Sequence, residues 1–383
     1  MTRSRLNRRA FLLGSAALAT LQLTGCSRRD RFELFVQLLE QSVPSELIQE
    51  FMRQLDRTNA IRFEPLEQLQ DAFRELQQWN APDTNAPVPH WVSIGDYWLT
   101  AAIQQNLIQP IPAIADLDGW QSLSPRWQSL VTRDDQGAII ENPSNSNIWG
   151  APYRWGSLML VYRNAAFDSL SWTPTQWSDL WRAELQGRVS VLDSPRATIG
   201  IVLKQLGYHA NQLGELDAAA QDDVINTLTA LHQNLRFYSS DAYLEPLLIN
   251  DTWLALGWST DILPLLERDR RLSAVIPDSG TILSADVWVH PANGPAIADG
   301  SRPIEWLNFC WNPDISERLT SLSFAASPII QPDSELAATL RETQPLLLPD
   351  ASILENSDWL EPLPTNAIAA YQTAWETMRR ASV

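Results

Sequence analysis

The chain has 383 residues, 45% of them hydrophobic and 9% aromatic, enough for two domains with sizeable cores, which excludes whole-chain disorder. Acidic residues outnumber basic ones 45 to 28, a net charge of −17, so a basic face for DNA or RNA is not expected. Seventeen tryptophans and a single lysine, Lys204, are the compositional oddities, and two cysteines limit the chain to one disulfide.

The chain opens with Arg3, Arg5, Arg8 and Arg9 ahead of an apolar stretch over residues 10–23. A charged start and a short apolar run have the form of a secretory signal. The run is shorter than the roughly 20 residues that a membrane-spanning helix needs. Asn7-Arg8-Arg9-Ala10-Phe11-Leu12 resembles a twin-arginine export signal, and Leu23-Thr24-Gly25-Cys26 resembles a bacterial lipobox. Together they imply a signal over residues 1–25, lipidation of Cys26 and a short polar tether over 26–30. Each buried methylene of an acyl chain contributes about 0.8 kcal/mol, so several chains hold a protein stably on a membrane. Lipidation would leave Cys310 alone, with no intrachain disulfide.

Beyond the tether the pattern alternates. Residues 32–38 read as a strand. A helix opens at Pro44 and Ser45, with Leu47, Ile48, Phe51, Met52 and Leu55 on one face. Residues 61–66 read as a second strand, 66–79 as an amphipathic helix, 91–94 as a third strand, and a helix starts near Asp96. Strands alternating with helices predict a parallel, doubly wound sheet. A polar loop over 134–147 separates this block from a long extended run, 148–162. A second α/β region follows to about residue 283, with helices at 176–181, 199–206 and 217–234. Residues 285–290 read as a strand and 303–309 as a helix start. A last helix over 366–380 ends on Arg379 and Arg380, as the helix dipole favours.

Chemical motifs are absent. There is no Gly-rich phosphate loop, no metalloprotease His-Glu pair and no nucleophile elbow. His90, His209, His232 and His290 are scattered without metal-ligand spacing, so neither a metal nor a cofactor is expected. Nothing singles out an enzyme.

The segment Trp149-Gly-Ala-Pro-Tyr-Arg-Trp-Gly-Ser-Leu-Met-Leu-Val-Tyr162 resembles a Pro-Tyr-x-Trp-Gly strand of the bacterial ABC-transporter solute-binding proteins, in their polyamine-binding branch. Thr175-Gln-Trp177-Ser-Asp179-Leu180-Trp181, Leu206-Gly207-Tyr208, the stretch from Ala285 to Asn293 and that from Ile304 to Cys310 match the same family in order. The resemblance implies a type II periplasmic-binding-protein fold, with two α/β lobes joined by crossing hinge strands and a cleft between them. One lobe would comprise residues 31–150 and about 284–328, the other about 151–283 and 329–383. It further implies a monomeric, lipid-anchored protein of the periplasm that captures a small, amine-bearing solute and delivers it to an ABC permease, without covalent chemistry.

Carried over position by position, the resemblance places Asp96, Tyr97, Trp98, Trp155, Ser194, Arg196, Trp258 and Asp286 at the ligand site. Several family features are missing. Leu39-Glu-Gln-Ser42 lacks the two rings of the first site loop, and Ser194-Pro-Arg196-Ala197 has lost both amine-binding acids while keeping the arginine. Ser284 replaces a ring, and Leu360 replaces a polar contact. One cationic head could still sit between Asp286, Trp258 and Tyr97, or Arg196 or Arg154 could meet a ligand carboxylate. Two alternatives stand beside the importer: an envelope hydrolase acting on saccharides, and a binding-protein fold reused as an envelope assembly factor.

Overall fold

The computed structural model describes residues 32–55, 60–81, 86–139 and 146–381. The expected signal, lipobox and tether, with Cys26, lie outside the described residues. Among these no helix is long and apolar enough to cross a membrane.

The first strands, β1 (Leu34–Leu39), β2 (Ile61–Leu66) and β3 (Trp91–Gly95), pair in parallel around β1. Helix α1 (Ser45–Arg53) follows Pro44, whose fixed φ suits a helix start, and buries Leu47 and Phe51. Helix α2 (Leu69–Trp79) buries Ala72, Phe73, Leu76 and Trp79 at helical spacing.

Two long strands dominate the centre of the sheet: β7 (Ala151–Arg163) and β12 (Ile282–Pro291). They run antiparallel, and β12 is also antiparallel to β3. On the far side β8 (Val189–Leu192), β9 (Leu235–Ser239) and β10 (Leu254–Trp258) are parallel among themselves. The strand order is β2-β1-β3-β12-β7-β10-β8-β9. The sheet is therefore parallel in both flanks and antiparallel at the centre, where the chain passes from one flank to the other. The expectation of a parallel sheet holds for the flanks alone, because alternation of strands and helices says nothing about a strand that returns from far along the chain.

Alternate side chains of β7 enter different cores. Leu158 and Leu160 belong to a cluster with Val191, Ile199, Leu228 and Trp375, whereas Met159 and Val161 join a larger cluster with Leu34, Trp91, Trp288 and Trp306. Strand pleating dictates that split. Helix α7 (Pro195–Gln205), capped by Ser194, α8 (Ala218–Asn234) and α15 (Thr365–Arg380) cover the first of these clusters. Past the bridge between Trp155 and Ala326, Gln331 Nε2 donates to Ser122 O at 2.6 Å, which ties a stretch expected in the second lobe to the first.

A two-residue strand, β13 (Asp358–Trp359), pairs with the start of β12 and forms a strap beside the central strands. Helix α7 holds this strap from both ends. Lys204 Nζ donates to Asn356 O at 2.6 Å and pairs with Asp358 at 3.1 Å, while Arg196 Nη2 donates to Glu361 O at 2.6 Å. The chain's one lysine thus lies at this junction.

Candidate functional site

The expected site residues gather where β3 ends, where β7 and β12 cross, and where α7 meets the strap. Strand β3 ends at Gly95, and Asp96–Trp98 form a short 3-10 turn leading into α3 (Leu99–Gln104). Three consecutive side chains of that turn serve different surroundings. Asp96 is fully buried. Its Oδ1 accepts from Ser284 Oγ at 2.8 Å and from the Ala285 amide at 3.1 Å, tying β3 to β12, while Oδ2 has no partner. Burial pushes its pKa up to about 7, against the opposing help of those bonds and of Arg133. Tyr97 folds back over Gly95, where a Cβ would lie 2.5 Å from its Cε1, and packs partly buried on the smaller core cluster. Trp98 keeps contact with the Tyr97 ring, centroids 5.6 Å apart, and stacks on Phe73 at 4.3 Å, so it belongs to the core under α2.

Asp286 lies on β12 between Gly95 of β3 and Arg154 of β7. Arg154 Nε donates to Asp286 Oδ2 at 2.6 Å, with only 5% and 13% of the two side chains exposed. Burial pushes the Asp286 carboxyl up and Arg154 opposes that shift. The expected ammonium partner is therefore already matched by an internal cation, a pairing hidden from the sequence by a separation of 132 positions.

Trp155 is buried and packs against Trp127 and Trp359 at centroid distances of 6.0 and 6.1 Å; Trp127 and Trp359 meet edge to face at 5.0 Å. The expected wall is thus part of a tryptophan triad that includes the strap. Ser194 does not face a ligand through its hydroxyl, which accepts from the Ala197 amide as a helix cap. Arg196, the second residue of the helix, spends Nη2 on Asn211 Oδ1 and Glu361 O, both at 2.6 Å, and lies 5.0 Å over the Tyr371 ring. Its Nη1 is buried without a hydrogen-bond partner.

Trp258 ends β10, partly exposed. Its amide donates to Tyr243 Oη at 3.2 Å, and Tyr243 donates in turn to Asp261 Oδ2 at 2.7 Å. Gly257 makes room for this ring, since a Cβ there would lie 2.2 Å from Tyr243 Cε2. Asp261 is solvent-exposed and in the field of both Arg154 and Asp286, with no ion pair among the described residues. Sequence reasoning missed it. The signal was an acid three positions after the strand-end tryptophan, in the first turn of α10 (Ser259–Arg268). A separate surface groove of about 800 Å³, floored by Phe51, Leu55, Phe309 and Ile315, contains none of the expected residues.

Among the described residues no cluster of His, Cys, Asp or Glu could hold a metal. What remains is a set of carboxylates, aromatic rings and guanidinium groups near the ends of β3 and β10, the β7–β12 crossing and α7, suited to non-covalent recognition.

Residues 92–357 match the family described as bacterial extracellular solute-binding protein. The chain is 22% identical over 267 residues to the putrescine/cadaverine-binding protein of Pseudomonas aeruginosa, covering 65% of this chain and 71% of that one. It is 24% identical over 277 residues to the putrescine-binding periplasmic protein PotF of Escherichia coli, covering 67% and 69%. Among solved structures, the spermidine/putrescine transporter substrate-binding protein PotD of Streptococcus pneumoniae superposes with a TM-score of 0.73 at 18% identity, over 90% of this chain and 98% of that one. A periplasmic thiamin-binding protein superposes with a TM-score of 0.57 at 16% identity, over 91% and 95%. The fold is the type II periplasmic-binding-protein fold.

Proposed function

The chain belongs to the bacterial extracellular solute-binding protein family, and from that premise we propose that it is the solute-binding component of an ABC importer, taking a small amine-bearing solute into a cleft between two lobes. Lobe 1 comprises residues 31–150 and about 284–328, lobe 2 about 151–283 and the last helix, and the stretch from Ile329 to Leu348 packs with lobe 1 rather than lobe 2. Strands β7 and β12 and the strap are the crossings about which the lobes hinge. The observation that carries the reading is the convergence of Tyr97, Trp258, Asp261 and the Arg154–Asp286 pair at those crossings, in a chain whose curated relatives are named for putrescine and cadaverine.

In this reading Asp261, positioned by Tyr243, supplies the carboxylate for an ammonium head, with the face of Trp258 as its aromatic wall. Asp286 and Asp261 flank one arginine, leaving a single net negative charge for a single cation. The solute stabilises a closed state by binding it more tightly than the open one. Closure then presents one surface, built from both lobes, to the permease. The protein acts as a monomer in the periplasm, tethered by lipid at Cys26.

Calorimetric titration of the full-length chain with amines of graded length tests this. Saturable binding of an amine, reduced at least tenfold by Asp261→Asn, is expected; binding indifferent to Asp261→Asn removes that residue from the site.

A further inference from the structure

Across the middle of the sheet Gly95 of β3, Asp286 of β12 and Arg154 of β7 stand in one row, Asp286 being the register partner of both others. Residues directly opposite one another on neighbouring strands project to the same face, as do residues two apart along a strand. That face of β7 also carries Leu158 and Leu160, whereas Tyr153 and Trp155 turn into the larger core. Direct approaches fix what lies over the row. A Cβ on Gly95 would run into the Tyr97 ring, and a Cβ on Gly156, two positions from Arg154, would lie 2.8 Å from Ser259 Oγ and 3.3 Å from Thr260 Cγ2. The Ser157 amide donates to the same Ser259 hydroxyl at 3.1 Å. The first turn of α10, with Asp261 in it and Trp258 just before it, is thereby seated on β7 roughly 7 Å along the strand from Arg154. Two carboxylates, Asp261 and Asp286, thus share a face with one guanidinium, and that guanidinium is bonded to Asp286.

We propose that Arg154 determines how many cationic groups the solute carries. It holds Asp286 as a built-in cation, Asp261 alone is left for the solute, and the site takes a monoamine with an uncharged body in preference to a diamine or longer polyamine. This rests on the solute-binding reading above and narrows its substrate class. Arginine suits the task, because a guanidinium stays charged throughout the pH range of a living cell, whereas a lysine in so dry a place can give up its proton. A second ammonium does not displace it. Arg154 is 4% exposed, and among the described residues its one ion pair is with Asp286. Once displaced it would remain a buried cation without a counter-charge, a larger loss than an ammonium gains at the same carboxylate. Tyr97 and Trp258, each partly exposed, offer the rest of the solute ring surface and no charge.

The test is calorimetric titration of the full-length chain with linear monoamines and with α,ω-diamines of equal carbon number. The parent is expected to bind a monoamine of one length at least tenfold more tightly than the matching diamine. Arg154→Met, which leaves two carboxylates facing the solute, should reverse that order. Arg154→Met combined with Asp286→Asn, in which Asp261 is again the one acid, should restore it. Where Arg154→Met is too unstable to titrate, its melting is followed instead, and the diamine should raise the melting temperature more than the monoamine does. A parent that binds the diamine as tightly as the monoamine overturns the inference and leaves the solute-binding reading standing. So does a monoamine preference unchanged in Arg154→Met. Silence of the parent towards every compound in both series overturns the solute-binding reading itself.

Discussion

Asp96 is a carboxyl with no solvent, two hydrogen bonds on one oxygen and none on the other. With its pKa raised from 3.8 to about 7, the folded state binds a proton that the unfolded state has already released between those values. Stability contributed by that protonation is complete below pH 4 and is lost as pH rises through 7. Asp96→Asn keeps the acceptor facing Ser284 and removes the titration. Its melting temperature should exceed that of the parent at pH 8 and the gap should narrow at pH 5, by roughly 3 kcal/mol for the two units between pH 5 and 7, closing fully only below pH 4. Parallel pH–melting curves for the two proteins refute the assignment. The neighbouring pair makes a different demand. Asp286→Asn strands the Arg154 guanidinium, at a cost of about 3 kcal/mol, and adding Arg154→Met should restore much of it. Denaturant unfolding of the single and double variants measures this; equal losses in both would mean the pair contributes nothing through its charge.

At the level of elements, the close approach of β10 to Tyr243 depends on one missing methyl. Gly257→Ala should displace Tyr243, lower stability by about 1–3 kcal/mol and break the bond that aims Asp261. Amine affinity should therefore fall although neither Asp261 nor Trp258 is altered, and unchanged affinity would separate Tyr243 from the site. Elements were read from sequence with uneven success. Strand β2 emerges at its observed bounds, and α8 and α15 within a residue of theirs, because their apolar spacing is local. The turn Asp96–Trp98 shows the limit. Three adjacent residues suited a pocket equally well, yet one locks strands, one packs on the smaller core cluster and one joins the larger, and only the turn's geometry distributes them. Ser194 likewise aligned with a binding position and serves as a helix cap. Partners such as Arg154 and Asp286, brought together by β7 and β12, leave no trace in local pattern.

The whole molecule was legible as two α/β regions with a crossing near residue 150, because the Pro-Tyr-x-Trp-Gly stretch lies in β7. What stayed hidden was the joining of both regions into one sheet through an antiparallel centre. The described residues begin at Phe32 and Cys26 lies before them, so lipid attachment is proposed from the sequence motif alone. Cys26→Ser should move the protein from the membrane to the soluble fraction after cell fractionation, and continued membrane retention would sink the lipoprotein assignment. The strap has one more consequence. Helix α7 grips it at Asn356, Asp358 and Glu361, so motion of that helix must carry Trp359 past Trp127 and Trp155 and under Arg126. Indole emission is sensitive to a nearby cation and to neighbouring rings. The hinge therefore carries a built-in optical gauge: subtracting the spectrum of a Trp359→Phe variant from that of the parent isolates the strap among seventeen tryptophans and follows its movement without a label.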